Sequence, residues 1–230
     1  MMRRRVVLLS RPVACLLAAC LLAAGCSRFA PQAGDLLFQD LDGGALSEAI
    51  EKVTQGYGGA HLTHVGVAAH DADGSMVVVE AVGKGVSVTP LDVFLGRSRD
   101  AAGRPKVLVG RLKPPYRRLI EPAIKEAFAL KGKPYDKVFD IQNDAYYCSE
   151  LVYECFLKAN GGKALFPLEP MTFVDPDTGE SFPAWAEYFA RLAVRTPEGE
   201  PGINPGGISR SEVLDIVHAY GRPDGWGKNN

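Results

Sequence analysis

The sequence lacks any large net charge. Its 230 residues include 26 lysines and arginines and 27 aspartates and glutamates, so the net charge is −1. Proteins that follow nucleic-acid phosphates need a concentration of basic side chains. No basic stripe occurs here, so nucleic acid is not an expected partner. Hydrophobic residues make up 47% of the chain, which is ordinary for a globular domain with a core of useful size.

Long apolar runs are also lacking, apart from residues 12–25. That stretch is too short for the ~30 Å core of a bilayer. Residues 3–5 are arginines, so the segment has the basic start and short apolar middle of an export signal. Small residues lead up to Cys26, as in lipoprotein signals, in which the cysteine is lipidated. We expect residues 1–25 to be removed and Cys26 to anchor the protein on the periplasmic side of a bacterial envelope.

Two alternatives to lipidation at Cys26 stay open. The residues before Cys20 fit the local lipoprotein pattern better, because Leu17 stands three before that cysteine, but cleavage there would leave a short apolar segment and an apolar new terminus. A plain secretory signal is the other alternative. Removal of residues 1–25 takes away four arginines and leaves 22 basic against 27 acidic side chains. Because this mature chain is acidic, attachment to the membrane would come from the acyl chains.

Cysteine is rare once the export segment is set aside. Of five cysteines, only Cys148 and Cys155 belong to the mature domain. They are seven residues apart on one predicted helix, which separates their Cα atoms by about 10 Å. A disulfide tolerates no more than about 7 Å. The sequence therefore predicts two free thiols in an oxidising compartment.

Hydrophobic periodicity predicts one domain over residues 34–222, after a linker at 26–33. Strands are predicted at 34–38, 63–69, 76–82, 85–89 and 106–112, where apolar runs are bounded by turn residues. Helices are predicted at 46–53, 117–130, 148–159, 183–194 and 211–220, with a Pro/Gly-rich loop at 196–207. Strands in one block with helices on either side predict an α+β fold with an antiparallel sheet.

Cys148 begins its predicted helix. Unpaired N–H groups and the helix dipole favour a thiolate there, and the same N–H groups can hold an oxyanion. The alternative is a small buried hydrophobe on a core stripe, which is our interpretation of Cys155.

His64 and Glu80 are unexpected residues on two apolar strands. They are 16 apart, and an even separation across a hairpin puts two side chains on the same face. A turn centred on Ala72 would make them direct cross-strand partners. The carboxylate would then orient the imidazole and stabilise its charged form.

Five segments carry a resemblance to a known family. Residues 34–38, 63–67 and 79–81 resemble three consecutive motifs of the NlpC-type cell-wall amidases. In that family these motifs follow the catalytic cysteine, whereas the segments that resemble the cysteine half, 132–135 and 147–152, come last here. This rotated order is similar to that of the circularly permuted papain-like cysteine hydrolases of the NlpC superfamily, the YiiX/YaeF-like group.

The resemblance implies a permuted papain-like fold and a role for each matching residue. Cys148 matches the nucleophile and His64 the base, while Glu80 stands where the family has a third polar residue, often His, Asn or Gln. Tyr135 matches a tyrosine that lines the site and can help the oxyanion hole. Asp35 matches a motif aspartate that is more often structural.

The resemblance also implies an activity, a cysteine hydrolase that cleaves amide bonds through a thioester. We expect cell-wall-type peptides, such as those of peptidoglycan, as substrates, and no cofactor. A lipid acyl hydrolase or acyltransferase that uses the same site is the first alternative. A non-catalytic lipoprotein that binds peptides or lipid is the second.

A metal site is the remaining alternative, because His61, His64 and His70 lie close in sequence. Residues three apart on a strand point to opposite faces, and no second cysteine pair completes a zinc set. We therefore expect no bound metal.

Overall fold

The structure is a computed structural model and describes residues 29–227. The predicted export segment, Cys20 and Cys26 lie outside these residues, so export and lipidation stay predictions. Within the described part of the chain, no helix has the length and apolar character needed to cross a membrane.

A six-stranded antiparallel sheet forms the centre of the fold, and a two-stranded sheet lies apart from it. The strands in chain order are β1 (Leu36–Gln39), β2 (His64–His70), β3 (Met76–Val82), β4 (Gly85–Pro90), β5 (Val107–Leu112), β6 (Glu169–Pro170), β7 (Pro201–Gly202) and β8 (Leu214–Ala219). The large sheet has the order β4-β3-β2-β1-β5-β8, and β6 pairs with β7. Every pairing between these strands is antiparallel.

Six α-helices accompany the sheets in the described residues. They are α1 (Ala45–Val53), α2 (Leu91–Gly96), α3 (Ile120–Ala129), α4 (Cys148–Ala159), α5 (Pro183–Leu192) and α6 (Pro205–Ser209). A 3₁₀ turn, Pro114–Leu119, leads into α3. The α+β class with an antiparallel sheet is confirmed, and β3 and α4 have the predicted boundaries.

One predicted helix is wrong. Residues 211–220 contain the strand β8, which pairs with β5 along an edge of the sheet. The short apolar run that contains Leu214 and Ile216 fits both a helical face and an alternating strand, and only length and partners separate the two. Here β5 supplies the partner. Helices α2 and α6 were not predicted from the sequence, and α6 lies at the end of the predicted Pro/Gly loop.

The main core fills the space between one face of the sheet and helices α3 and α4. Val65 and Val67 of β2 pack in the same buried cluster as Leu151 and Val152 of α4. A smaller cluster that includes Val78 and Phe94 covers the opposite face. Since α4 begins at Cys148, this packing brings the first turn of that helix to the end of the sheet.

A third apolar cluster joins α1 to residues 171–189. We call α1 and residues 171–189 together the cap. The buried members of the cluster are Ala49, Phe173, Trp185 and Phe189. Lys52 of α1 ties the two parts of the cap together, since its Nζ lies 2.7 Å from Asp175 Oδ2.

Candidate active site

Cys148 is the first residue of α4, and its residue surface is only 6% exposed. Its thiol is hydrogen-bonded to the side chain of His64 and to backbone N–H groups of Val65 and Ser149. Burial raises the pKa of Cys148, but these hydrogen bonds and the charge of His64 outweigh burial, so the pKa lies below its ordinary value. The position at a helix start therefore favours a thiolate, as the sequence indicates.

His64 is the first residue of β2 and is buried. Its Nε2 lies 2.5 Å from Glu80 Oε2, which leaves Nδ1 as the ring nitrogen for Cys148. Burial alone would lower the pKa of His64, but the hydrogen bonds with Cys148 and Glu80 raise it to about 9. Together with the lowered thiol pKa, this favours a thiolate–imidazolium pair at neutral pH.

The register of the β2–β3 hairpin differs from the predicted one. His70 pairs with Met76, so the turn is centred on Asp73 rather than on Ala72. When this register is extended, Glu80 lies opposite Gly66 and diagonal to His64. The two side chains share a face, as predicted, and they meet across the diagonal, which lies within reach of long side chains.

Gly66 makes room for Glu80. A Cβ at position 66 would lie 2.4 Å from Val78 Cγ1 and 3.2 Å from Glu80 Cβ. A side chain at position 66 would therefore clash with Val78 and Glu80 on the neighbouring strand β3. The absence of one lets Glu80 reach toward His64 while remaining fully buried.

Arg97 completes the group and was missed by the sequence analysis. It follows α2 directly, and its Nη1 and Nη2 donate to Glu80 Oε2 at 2.6 Å and to Glu80 Oε1 at 2.5 Å. Burial raises the pKa of Glu80, but the hydrogen bonds from His64 and Arg97 lower it to about 2. Glu80 is therefore ionised at neutral pH. The one available sequence signal was a glutamate on an apolar strand, because a carboxylate buried there would need more than a histidine as its partner.

Cys148 opens onto a cavity of about 760 Å³ between α4 and the cap. Most of the wall is apolar and includes Leu46, Ile50, Phe166, Phe173, Trp185 and Ile203. Tyr135 lines the same cavity. Burial and the neighbouring Cys148 hold the pKa of Tyr135 well above its usual range, so its hydroxyl keeps its proton and can donate.

The residues on either side of Cys148, Tyr147 and Ser149, hold Ile203 in the wall of the same cavity. The Tyr147 hydroxyl accepts the backbone N–H of Ile203 at 3.1 Å, and Ser149 Oγ donates to the Ile203 carbonyl at 2.9 Å. The peptide groups of Ile203 are thus held from both sides. The segment after α5, which the sequence predicts to be a Pro/Gly-rich loop, is therefore part of the cavity wall.

Comparison with known proteins identifies a family for this chain. Residues 30–218 match the family described as permuted papain-like amidase enzyme, YaeF/YiiX, C92 family. The chain belongs to this family of permuted papain-like amidases. It is therefore an enzyme of the cysteine amidase type, with its cysteine half after its histidine half. No curated protein matches the chain.

The fold of this amidase also has a solved counterpart. A crystal structure described as metalloprotein yiiX from Escherichia coli O157:H7 superposes with a TM-score of 0.66. The two chains are 24% identical, and the match covers 83% of this chain and 98% of that chain. The permuted papain-like fold expected from the sequence is confirmed.

One acidic cluster of this amidase has the arrangement of a metal site, formed by Asp40, Asp42 and Asp224. The ammonium of Lys106 lies among the three carboxylates, at 3.1, 2.6 and 3.1 Å. A lysine thus stands where a cation would bind, so these residues do not fit a metal ion.

Two further residues from the sequence analysis, His61 of the metal alternative and Asp35 of the family motif, do not line the cavity at Cys148. His61 Nδ1 lies 2.9 Å from Glu51 Oε2. Asp35 is buried and receives Arg111 Nε at 2.7 Å and Arg111 Nη2 at 2.8 Å. This is the arrangement of a structural ion pair that joins β1 to β5.

Proposed function

We propose that this amidase cleaves its substrate with Cys148 as nucleophile, His64 as general base and acid, and Glu80 as the group that orients His64. The observation that carries the proposal is the unbroken hydrogen-bond chain from Glu80 through His64 to a thiol on a cavity wall. Acyl transfer by a cysteine requires a thiolate beside an imidazolium that can return a proton.

The proposed reaction has two steps. The Cys148 thiolate adds to the amide carbonyl, and the oxyanion rests on the Cys148 N–H and the Tyr135 hydroxyl. His64 gives its proton to the leaving amine as the C–N bond breaks, which leaves a thioester. Water, deprotonated by His64, then hydrolyses the thioester and releases the acid and the free thiolate.

The cavity favours a substrate with a large apolar group. Its wall beyond Cys148 is built of aliphatic and aromatic side chains, and its charged lining residues are Arg210, Glu169 and Glu212. A peptide rich in carboxylates would find one cation against two anions there. We therefore place an acylated amide or ester first, and keep the cell-wall peptides that the motif resemblance implies as the second candidate.

Turnover by the purified mature protein tests both candidates. Long-chain N-acyl amides, acyl esters and muropeptides are incubated with it, and the products are identified by mass spectrometry. We expect cleavage of a long-chain substrate, with Cys148→Ala as the inactive control. Cleavage of muropeptides alone would favour the second candidate, and normal turnover by Cys148→Ala would contradict the proposal.

A cavity variant tests the apolar wall. Ile50 lies on α1 and lines the cavity, so Ile50→Trp should fill part of it. We expect a lower kcat/KM for long-chain substrates and little change for acetyl analogues. Val93→Trp is the matched control, because Val93 is 52% exposed and lies outside the cavity lining. Equal effects of the two variants would speak against acyl binding there.

We also propose that the amidase works at the bacterial envelope, anchored through lipidated Cys26. The support is the sequence pattern of residues 1–26, which has the parts of an export signal. Mass spectrometry of the membrane fraction should find Cys26 as the mature, lipid-bearing terminus. Cys26→Ser should release the protein from that fraction, and an unmodified terminus at residue 27 or beyond would contradict lipidation.

A further inference from the structure

We propose that Arg97 is a positioning residue that acts on His64 through Glu80. The inference rests on the proposed function, in which His64 serves Cys148. Arg97 donates to both carboxylate oxygens of Glu80, and one of those oxygens also binds His64. Arg97 therefore reaches the imidazole through a single shared carboxylate.

The bidentate contact with Arg97 fixes the orientation of the Glu80 carboxylate. A carboxylate bound only to His64 could rotate about its last torsion and still keep one hydrogen bond. With Arg97 on both oxygens, rotation breaks two charge-assisted bonds. The oxygen that faces His64 is thereby held in place, and with it the plane of the ring.

Phe94 holds the guanidinium from the other side. The Arg97 guanidinium carbon lies 5.4 Å from the centre of the Phe94 ring, and the His64 ring centre lies 5.9 Å from the same point. Phe94 is fully buried. Arg97 is thus kept against Glu80 by a packed ring as well as by hydrogen bonds.

Burial makes the pairing necessary. Glu80 is fully buried, while the Arg97 side chain is 24% exposed. The groups that face Glu80 are His64 on β2, Thr89 on β4 and Arg97 after α2. Without Arg97, the carboxylate would have His64 as its only charged partner. A buried carboxylate that loses one of its two charged partners is less well compensated, which is costly, so it would move or draw the imidazole out of line with Cys148.

The test measures how fast iodoacetamide alkylates Cys148 between pH 5 and 9 in the full mature protein. The variants are Arg97→Gln, Arg97→Lys, Glu80→Gln and the double variant Arg97→Gln/Glu80→Gln. Arg104→Gln is the control, because Arg104 pairs with Asp100 on the surface and its side chain is 59% exposed. Labelling needs no substrate, so it separates this inference from the proposed function.

We expect Arg97→Gln to slow labelling near pH 6 by about tenfold and to move the acid limb to higher pH. Arg97→Lys should restore only part of the rate, since an ammonium cannot bind both oxygens in the same way. The double variant should be no slower than Glu80→Gln alone, because Arg97 acts through Glu80. Arg104→Gln should match the wild type.

Two results would overturn the inference. One is a wild-type labelling profile in Arg97→Gln, even if its melting temperature falls. The other is a loss in the double variant that equals the product of the two single losses. If Arg97→Gln does not fold, the comparison of Arg97→Lys with Arg97→Lys/Glu80→Gln asks the same question. If the variants change the alkylation rate as expected but the wild type turns over no substrate, the result counts against the proposed function and leaves this inference standing.

Discussion

Glu80 lies opposite Gly66, and the missing side chain at position 66 is what allows the carboxylate to reach His64. A Cβ on Gly66 would come within 3.2 Å of Glu80 Cβ and 2.4 Å of Val78 Cγ1. The glycine is therefore a requirement of the site as well as of strand packing.

Gly66→Ala should lower both the stability of the protein and the reactivity of the Cys148 thiol. Overpacking of a buried site costs about 1–3 kcal/mol, so we expect a lower free energy of unfolding in urea. We also expect slower alkylation of Cys148, since Glu80 must shift. Wild-type values for both measurements would show that the strands absorb the methyl group without moving Glu80.

The two thiols of the mature domain should differ in reactivity. Burial raises the pKa of Cys155 to about 12, whereas His64 and two backbone N–H groups hold the pKa of Cys148 below its ordinary value. At pH 7, iodoacetamide should therefore label Cys148 at least about tenfold faster. Peptide mapping measures both sites, with Cys155→Ser as the control that keeps the fast phase. Equal and slow labelling would remove the case for an activated thiolate.

Substitutions of Cys148 and His64 should have non-additive effects on activity, because the two residues act as a unit. Each of Cys148→Ala and His64→Ala should lower kcat by about 10³-fold or more, because neither group can carry out its step alone. The double variant should be no worse than either single one. Glu80→Gln should cost less, since an amide oxygen still accepts from the imidazole. Additive losses in the double variant would mean that the two residues act independently.

Glu150 should make the protein less stable as pH rises. It is buried in the first turn of α4, its Oε2 accepts the Tyr147 N–H at 3.1 Å, and its Oε1 has no partner. Burial, reinforced by nearby Asp136, raises its pKa to about 8. A raised folded-state pKa gives stability that is complete below the unfolded value near 4.5 and is lost as pH rises through about 8.

Glu150→Gln should remove this dependence. We expect the variant to match the wild type near pH 5 and to be more stable above pH 8, because the neutral amide keeps an acceptor for the helix cap. Thermal unfolding at several pH values measures the difference. Glu154→Gln, on the same helix but less buried, is the control. A constant difference between wild type and Glu150→Gln across pH would contradict this account.

Local sequence patterns determined the helix that begins at Cys148 and the shared strand face of His64 and Glu80. The helix that begins at Cys148 is read from apolar spacing over twelve residues, and that spacing survives in any compact fold because it describes one face of one helix. His64 and Glu80 share a face because their even separation fixes it for any hairpin with an odd-numbered loop. The ordered motifs by themselves indicate the permuted papain-like family.

Only the tertiary structure decided the remaining features. A turn centre at Asp73 or at Ala72 keeps the same face pattern, so strand packing set the register that pairs Glu80 with Gly66. Residues 211–220 fit a helix as well as a strand, and the free edge of β5 made them a strand. The contacts of Arg97 with Glu80 and of Ile203 with the residues beside Cys148 join distant parts of the chain. Such contacts leave no local period in the sequence, because they depend on how whole elements pack.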